Sequence, residues 1–277
     1  MDLTLLGSAA AEAIPDPFCS CRVCEVARQA GGPHVRTRAT ALVNDDLLID
    51  LGPDLLASAN HARRYLGNLE TILITHRHSD HWHPQNLYWR KPGFTPTSTA
   101  PLTVYGPADA LADITPELAE AANFSWEAVS AGDTWTAGRY EITAIPATHG
   151  GGQLEPLLYV IAEGTRRAFY ASDTAPLGDP AWRLLQDVAP MDLIVLDATS
   201  GRQSGGEAHH GLDQFLETRA RLIQEGLLRP EQTTLVAHHF SHNGGLTHRE
   251  LVEVYGQHDV LVAQDGLVLP VGDPLAD

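Results

Sequence analysis

Residues 76–81 read His76-Arg77-His78-Ser79-Asp80-His81, so four metal-ligand side chains lie within six residues. They follow directly on residues 70–75, an apolar, β-branched run that predicts a buried strand. A single histidine is usually an ordinary surface or core residue, but a cluster of this density after a strand does not fit that explanation. The segment therefore predicts a metal site at the rim of a sheet, with one ion or the first half of a two-metal centre.

Three further ligand-type residues, His149, Asp173 and His239, each follow an apolar run directly. Further strands with helices between them, among them a hairpin of residues 39–43 and 47–50, predict two β-rich halves. Helices are expected over residues 108–122 and 212–228. This pattern predicts a sandwich of two mixed β-sheets covered by helices.

Composition limits the class of partner. The chain has 277 residues, enough for one large domain or two small ones, with 35 acidic and 18 basic residues and a formal net charge of −17. This charge disfavours nucleic acid as a partner, because binding to nucleic acid depends on clustered Lys and Arg. A small anionic substrate is compatible with this charge if metal ions supply local positive charge. It is the expected partner, together with a second copy of the chain if a homodimer forms.

A cytoplasmic location and no membrane contact are expected from the sequence. Asp2 stands where a signal peptide would be basic, and no apolar run approaches the length of a membrane span. The three cysteines, Cys19, Cys21 and Cys24, are an odd number within six residues, which does not suit a disulfide framework.

The motif His-x-His-x-Asp-His resembles that of the metallo-β-lactamase superfamily. The resemblance implies an α/β, four-layer αββα sandwich of two mixed β-sheets flanked by helices, with one hydrolase domain over residues 1–277. It also implies two divalent ions, Zn²⁺ or Mn²⁺, in one active site. The implied ligands are His76, His78 and His149 for the first ion, Asp80, His81 and His239 for the second, and Asp173 between them.

The cysteine cluster has the spacing of a tetrahedral zinc site that needs a fourth ligand. His242, three residues after His239, is our choice, which gives one structural Zn²⁺ held by Cys19, Cys21, Cys24 and His242. Three unrelated thiols in a loop are the alternative. His83, two residues after the motif, departs from the family pattern. It could be an additional metal ligand or a substrate contact, but a structural role for His83 is favoured.

The cysteine spacing, the intact histidine motif and the closing His-x-x-His resemble the phosphoribosyl 1,2-cyclic phosphate phosphodiesterase family of carbon–phosphorus lyase pathways. The start of the chain is also similar to the pyrroloquinoline-quinone biosynthesis B family, which usually has a degraded metal motif. The intact motif favours the phosphodiesterase.

The phosphodiesterase resemblance implies that a metal-bridging hydroxide attacks a cyclic phosphodiester such as 5-phosphoribosyl 1,2-cyclic phosphate. Asp80 or Asp173 would orient the water. His210 matches the position of a substrate-contacting histidine and is assigned the general-acid or phosphate-binding role. The adjacent His209 leaves this register open by one residue, and a capping role in the loop is the alternative. Asp197 is expected to orient a ligand or to shape a turn.

Three other functions are compatible with such a metal centre. Hydrolysis of a thioester or lactone needs only a metal-polarised carbonyl. A processing nuclease resembling ribonuclease Z is disfavoured by the acidic charge. A non-catalytic accessory protein would have an ill-formed catalytic centre, which the complete ligand set argues against.

Overall fold

The computed structural model describes residues 1–96 and 99–272. Within these residues, the chain forms fourteen strands. They are β1 (Asp2–Gly7), β2 (Thr40–Val43), β3 (Leu47–Ile49), β4 (Thr71–Leu73), β5 (Leu102–Gly106), β6 (Phe124–Ala128), β7 (Thr134–Ala137), β8 (Tyr140–Pro146), β9 (Leu157–Glu163), β10 (Arg166–Ala171), β11 (Leu193–Asp197), β12 (Thr234–His238), β13 (Leu261–Val262) and β14 (Leu267–Pro270).

Seven α-helices and four short 3₁₀ helices connect the strands in the same part of the chain. The α-helices are α1 (Arg22–Ala30), α2 (Leu55–His61), α3 (Ala108–Leu111), α4 (Pro116–Ala122), α5 (Asp179–Val188), α6 (Leu212–Gln224) and α7 (His248–Gly256). The 3₁₀ helices are Gly32–His34, Pro84–Arg90, Gly150–Gly152 and His242–Gly244. No helix among the residues described is long and apolar enough to cross a bilayer.

The strands form two seven-stranded mixed sheets. The first has the order β14-β1-β2-β3-β4-β5-β6 and the second β13-β12-β11-β10-β9-β8-β7. Each sheet has three antiparallel pairs at one end and three parallel pairs at the other. In the orders given, the antiparallel pairs come first in the first sheet and last in the second. This arrangement confirms the predicted sandwich of two mixed sheets.

Alternate side chains of the first sheet pack into two different cores. On β3, Leu47 and Ile49 join the large core shared with the second sheet, whereas Leu48 points to the opposite face. That face packs against helices through residues such as Leu55 of α2 and Leu111 of α3. This period of two explains why the strands are apolar throughout, since both faces of the sheet are covered.

The predicted hairpin is confirmed, because β2 and β3 pair in an antiparallel register. The single helix predicted over residues 108–122 is wrong. The chain forms α3 and α4 instead, and α4 begins at Pro116, where the missing N–H costs nothing. Thr115 caps α4 by accepting a hydrogen bond from the Leu118 amide at 3.2 Å. α6 also ends before the predicted residue 228, because Gly226 has a left-handed φ of 73°.

The sheet plan brings the ends of several strands to one edge. β3 and β4 run parallel, and so do β10, β11 and β12. β8 has the direction of β10, because both are antiparallel to β9. Hydrogen bonds join the sheets at this edge, for example from the Leu157 amide to the Thr75 carbonyl at 2.8 Å. Residues just beyond these strands therefore converge. That one domain spans residues 1–277 stays a prediction, since residues 273–277 lie outside those described.

Candidate metal centre and active site

Two ligand clusters meet at the shared edge of the sheets. The first consists of His76, His78, His149 and Asp173, whose ligand atoms all lie within 4.8 Å of one another. His78 Nδ1 lies 2.9 Å from His76 Nε2 and 3.1 Å from His149 Nε2. Three imidazole nitrogens and a carboxylate at these distances form a donor set that fits a Zn²⁺ or Mn²⁺ ion.

The second cluster consists of Asp80, His81, His239 and, again, Asp173. His81 Nε2 lies 3.1 Å from Asp80 Oδ2 and 3.3 Å from His239 Nε2. The Oδ2 atom of Asp173 lies 3.2 Å from His81 Nε2 and equally 3.2 Å from His76 Nε2 of the first cluster. Asp173 is therefore placed between the two clusters, where the resemblance put it.

Hydrogen bonds at the far side of the rings fix which nitrogen faces inward in the second cluster. His81 Nδ1 lies 2.6 Å from Asp50 Oδ2, which is an acceptor only, so Nδ1 carries a proton and Nε2 is the nitrogen that faces the cluster. His239 Nδ1 lies 2.8 Å from Thr199 Oγ1, whose own proton is donated to Asp197 Oδ2. The Nε2 atoms of His81 and His239 therefore face each other inside the cluster. Burial would lower the pKa of His81, but the carboxylates of Asp80 and Asp50 raise it well above its usual value, so a bound cation would take the place of the proton on Nε2.

Hydrogen bonds fix the positions of the ring protons in the first cluster in the same way. His76 Nδ1 lies 3.0 Å from Thr75 Oγ1, which donates its proton to Asp50, so His76 donates to Thr75 and presents the lone pair of Nε2. His149 Nδ1 donates to the Ala208 carbonyl at 3.1 Å and leaves Nε2 free in the same way. The imidazoles of the neutral rings are thus oriented as metal ligands.

Asp50 was missed by the sequence analysis, although it directly follows the apolar strand β3 as the recognised ligands follow theirs. Its carboxylate is fully buried and accepts hydrogen bonds from the Thr75 amide and hydroxyl as well as facing His81. It therefore orients one histidine of each cluster, directly for His81 and through Thr75 for His76. The sequence signal was present but lay outside the histidine motif.

Electrostatics favour the protonation states of metal ligands at three histidines and at Asp173. Burial lowers the pKa values of His76, His149 and His239, so these rings are neutral and able to bind a cation. Burial would raise the pKa of Asp173, but nearby histidines, His239 and His209 foremost, hold it well below its usual range. The carboxylate is thus ionised although it is buried.

His210 is not where the sequence analysis expected it. The residue is fully buried, its Nδ1 donates to the Thr174 carbonyl at 2.7 Å, and its Nε2 lies 2.9 Å from Thr218 Oγ1. Its ring is therefore occupied in packing the loop onto α6 and does not line the cavity. The ring of its neighbour, His209, lines the cavity instead.

His209 lines the cavity beside the metal ligands. Its Nδ1 lies 3.1 Å from Asp173 Oδ1 and 3.3 Å from Asp197 Oδ2. Burial opposes protonation, but these two carboxylates raise the pKa of His209 to about 10. Asp197 therefore has an orienting role, since it also accepts hydrogen bonds from Thr199 and from the His210 amide.

The cavity in front of the clusters has a volume of about 410 Å³. Part of its wall comes from residues of the two clusters, namely His78, Asp80, His149, Asp173 and His239. The remaining wall comes from residues 10–12, the loop at 199–209 and the segment 241–244. His83 is not among the lining residues or in either cluster; it directly precedes the 3₁₀ helix Pro84–Arg90, and its amide donates to the Leu51 carbonyl.

A separate cluster joins Cys19, Cys21, Cys24 and His242. His242 Nδ1 lies 3.6 Å from Cys19 Sγ and 3.5 Å from Cys21 Sγ. The opposite ring atom, Nε2, faces the carboxylates of Glu12 and Asp16 at 3.6 and 3.5 Å. A histidine between thiol sulfurs and carboxylates has the usual arrangement of a zinc ligand with its outer hydrogen-bond partner.

The thiols of this cluster differ in acidity. Burial raises the pKa of Cys21, but hydrogen bonds with the Cys24 backbone and His242 outweigh it and lower that pKa to about 7. Burial and the neighbouring Cys21 raise the pKa of Cys24 to about 12. Without a cation the group therefore does not ionise fully, whereas a bound metal ion deprotonates its thiols. A structural Zn²⁺ here stays a prediction with a suitable donor set.

Comparison with known proteins places this geometry in a family. Residues 46–240 match the family described as the beta-lactamase superfamily domain. No curated protein sequence matches the chain.

Solved structures with the same fold cover almost the whole chain. A diphosphatase from the PhnP family aligns with a TM-score of 0.72 and 21% identity, covering 97% of this chain and 96% of that one. Zn²⁺-bound PqqB from Methylobacterium extorquens gives a TM-score of 0.68 and 18% identity, covering 98% and 100%. The short form of human tRNase Z gives 0.66 and 18%, covering 98% and 99%.

Replacing Asp50 tests its orienting role. The Asp50→Asn substitution keeps the size of the side chain but removes the charge that faces His81, so we expect metal affinity to fall by about 10–100-fold. Competition with a chromophoric chelator measures this affinity. Asp45→Asn, at an exposed carboxylate paired only with Arg64, is the matched control. Unchanged metal affinity in a folded Asp50→Asn protein would contradict the assignment.

Replacing Cys21 tests the cysteine cluster. We expect Cys21→Ser to remove one zinc per chain and to leave the metals of the active site bindable. A decrease of about 3 kcal/mol in the free energy of unfolding would lower Tm by roughly 6–12 °C in a domain of this size. Metal analysis and thermal unfolding measure the two effects, with the exposed Ser20→Ala as control. Full zinc content and an unchanged Tm would favour three unrelated thiols.

Proposed function

Because the chain belongs to the beta-lactamase superfamily and holds two metal-ligand clusters that share Asp173, we propose that it hydrolyses small cyclic phosphodiesters. An example of such a substrate, implied by the family that the sequence resembles, is 5-phosphoribosyl 1,2-cyclic phosphate. The observation that carries the choice of a phosphodiester over an acyl substrate is the chemistry of the cavity wall.

Nearly all of the residues that line the cavity have polar side chains. Among the described residues that line the cavity, only Ala10 and Ala11 have apolar side chains. Besides the metal ligands, the lining consists of hydroxyl, amide, carboxylate and imidazole groups such as Ser200, Gln203 and His209. A thioester or lactone with an acyl chain needs apolar surface to bury that chain. A sugar-like phosphodiester instead needs hydrogen-bond partners, which this wall offers.

The size and charge of the site support a small anion. A volume of about 410 Å³ lies in the lower part of the range for small-molecule sites. The net charge of −17 opposes the approach of a long polyanion such as RNA. A single phosphodiester carries one negative charge, which two bound divalent ions would more than balance.

Two divalent ions, Zn²⁺ or Mn²⁺, would supply an activated water and neutralise charge on the phosphoryl oxygens. His76, His78 and His149 would hold one ion, Asp80, His81 and His239 the other, and Asp173 would contact both. Asp80 also lines the cavity, where its carboxylate would accept a hydrogen bond from the attacking water.

His209 is suited to give a proton to the leaving oxygen. Both of its carboxylate contacts are made through Nδ1, which leaves Nε2 for a ligand in the cavity. Asp173 and Asp197 hold the ring in place from one side, and its plane stacks on His239 with centroids 5.9 Å apart. A positioned imidazole of this kind contributes about 10²–10⁴-fold to a reaction that needs proton transfer.

A substrate panel tests the proposed function. We expect purified protein loaded with Zn²⁺ or Mn²⁺ to hydrolyse cyclic phosphodiesters far faster than a thioester or a lactone. The panel comprises ribosyl cyclic phosphates, 2′,3′-cyclic nucleotides and an aryl phosphodiester, with kcat/KM as the measurement. Hydrolysis of only the thioester or lactone would contradict the phosphodiester assignment, and inactivity toward every compound would favour a non-catalytic accessory role.

His78→Ala shows whether the activity belongs to the proposed centre. It removes a ligand of the first cluster, so activity should fall by at least about 10³-fold. His61→Ala changes an exposed histidine at the end of α2 and is the control. Equal activity of the two variants would assign the turnover to a contaminant or another site.

The role of His209 depends on the leaving group. We expect His209→Gln to lower kcat by about 10²-fold for a substrate with an alkoxide leaving group, which must be protonated. The effect should be much smaller for an aryl phosphodiester, because nitrophenolate leaves without a proton. Steady-state kinetics on both substrates measure this difference.

His210→Gln is the comparison for His209. Its buried ring contacts Thr174 and Thr218, so this variant should lower Tm and affect both substrates equally. A selective loss on the alkoxide substrate for His210→Gln, with none for His209→Gln, would restore the assignment made from the sequence.

A further inference from the structure

The part of the cavity wall that does not bind metal contains one carboxylate, Glu12. The same part of the wall contains hydroxyl and amide side chains, among them Ser200, Gln203, Ser204, Ser241 and Asn243. None of these groups balances the charge of Glu12. A substrate held by the metal centre must place its organic part against this wall.

Glu12 is fixed in position through one of its two oxygens. Oε1 accepts a short hydrogen bond from Ser241 Oγ and a longer one of 3.4 Å from Asn243 Nδ2. The same oxygen lies 3.6 Å from His242 Nε2. Since these contacts all use Oε1, Oε2 is left to accept a hydrogen bond from a ligand, and the side chain is 25% exposed.

Basic side chains do not complete the wall. Among the described lining residues there is no Lys or Arg. Arg38 is near Ala11, but its guanidinium is bound to the Ala11 carbonyl and to both oxygens of Asp54. Arg202 precedes Gln203 in the loop, yet its side chain is exposed and outside the lining. His209 is the basic side chain of the wall, but its Nδ1 is already paired with the carboxylates of Asp173 and Asp197. A second phosphate placed beside Glu12 would therefore meet a carboxylate with no Lys or Arg among the described lining residues to offset its charge.

We propose that Glu12 is a specificity-determining residue, which selects cyclic phosphodiesters whose organic part is uncharged and presents a hydroxyl group to Oε2. The inference rests on the proposed function. It narrows the substrate class, because the 5-phosphate of 5-phosphoribosyl 1,2-cyclic phosphate is a group that this wall disfavours. The neutral relatives are cyclic phosphates of an unphosphorylated sugar or a nucleoside.

A pair of substrates that differ in one phosphate tests the proposal. Ribose 1,2-cyclic phosphate and its 5-phosphate are compared by kcat/KM with the metal-loaded full chain. We expect the unphosphorylated compound to be preferred by about tenfold or more, the range expected for an unscreened charge of the same sign a few ångströms away. This comparison needs no variant, so it stands whatever a substitution does to folding.

Glu12→Gln assigns the preference to the residue. The amide oxygen still accepts from Ser241, while the negative charge is lost, so the preference should shrink by about tenfold. Glu217→Gln, an exposed carboxylate on α6, controls for net charge, and Arg202→Ala controls for the nearby loop. Both controls should keep the wild-type preference.

The outcomes separate the two levels of the argument. If both cyclic phosphates are hydrolysed and the 5-phosphate is preferred, the role of Glu12 is contradicted but the proposed function is not. The role of Glu12 is also contradicted if Glu12→Gln changes the preference for the unphosphorylated substrate no more than Glu217→Gln does. It is likewise contradicted if Arg202→Ala abolishes that preference. Hydrolysis of neither compound, while a thioester or lactone is turned over, contradicts the proposed function and this inference with it.

Discussion

The carboxylate of Asp173 is the constraint on which the site depends. It is almost fully buried, yet His76, His81, His149 and His209 each bring a ring nitrogen within 3.2 Å of it. A buried carboxylate without partners would cost several kcal/mol, so the imidazoles from both sheets must be present together. The site therefore forms only when the two sheets are joined at this edge.

Backbone geometry at the strand ends shows where the fold accepts a cost for this arrangement. Asp50, Asp173 and His239 all have a left-handed φ, of 64°, 58° and 63°. Such a conformation costs a non-glycine residue roughly 1–2 kcal/mol. In each case it turns the chain sharply just after a strand and directs the side chain back to the sheet edge. Strain of this kind persists where surrounding contacts determine the conformation, as the buried hydrogen bonds do here.

The sequence predicted what strand periodicity and ligand chemistry determine. His76, His149, Asp173 and His239 follow apolar strands, and parallel strands bring such residues to a common edge. The choice between His209 and His210 could not be made in this way, because residues 205–211 contain three glycines and no periodic pattern. There the register depends on tertiary contacts, namely His210 with Thr218 and His209 with Asp173. Asp50 could have been predicted from its strand.

The segment 239–244 explains how one fold can keep its metal chemistry and change its substrate. His239 belongs to the second metal cluster, Ser241 to the cavity wall and His242 to the cysteine cluster. A zinc ion on His242 would hold this segment, and through Ser241 it would fix Glu12 in the wall. The wall residues Glu12 and Ser241 would then be held in place by the zinc site, although they lie on loops outside the strands. We expect substitutions in these loops to alter selectivity without disturbing the carboxylate that both clusters share.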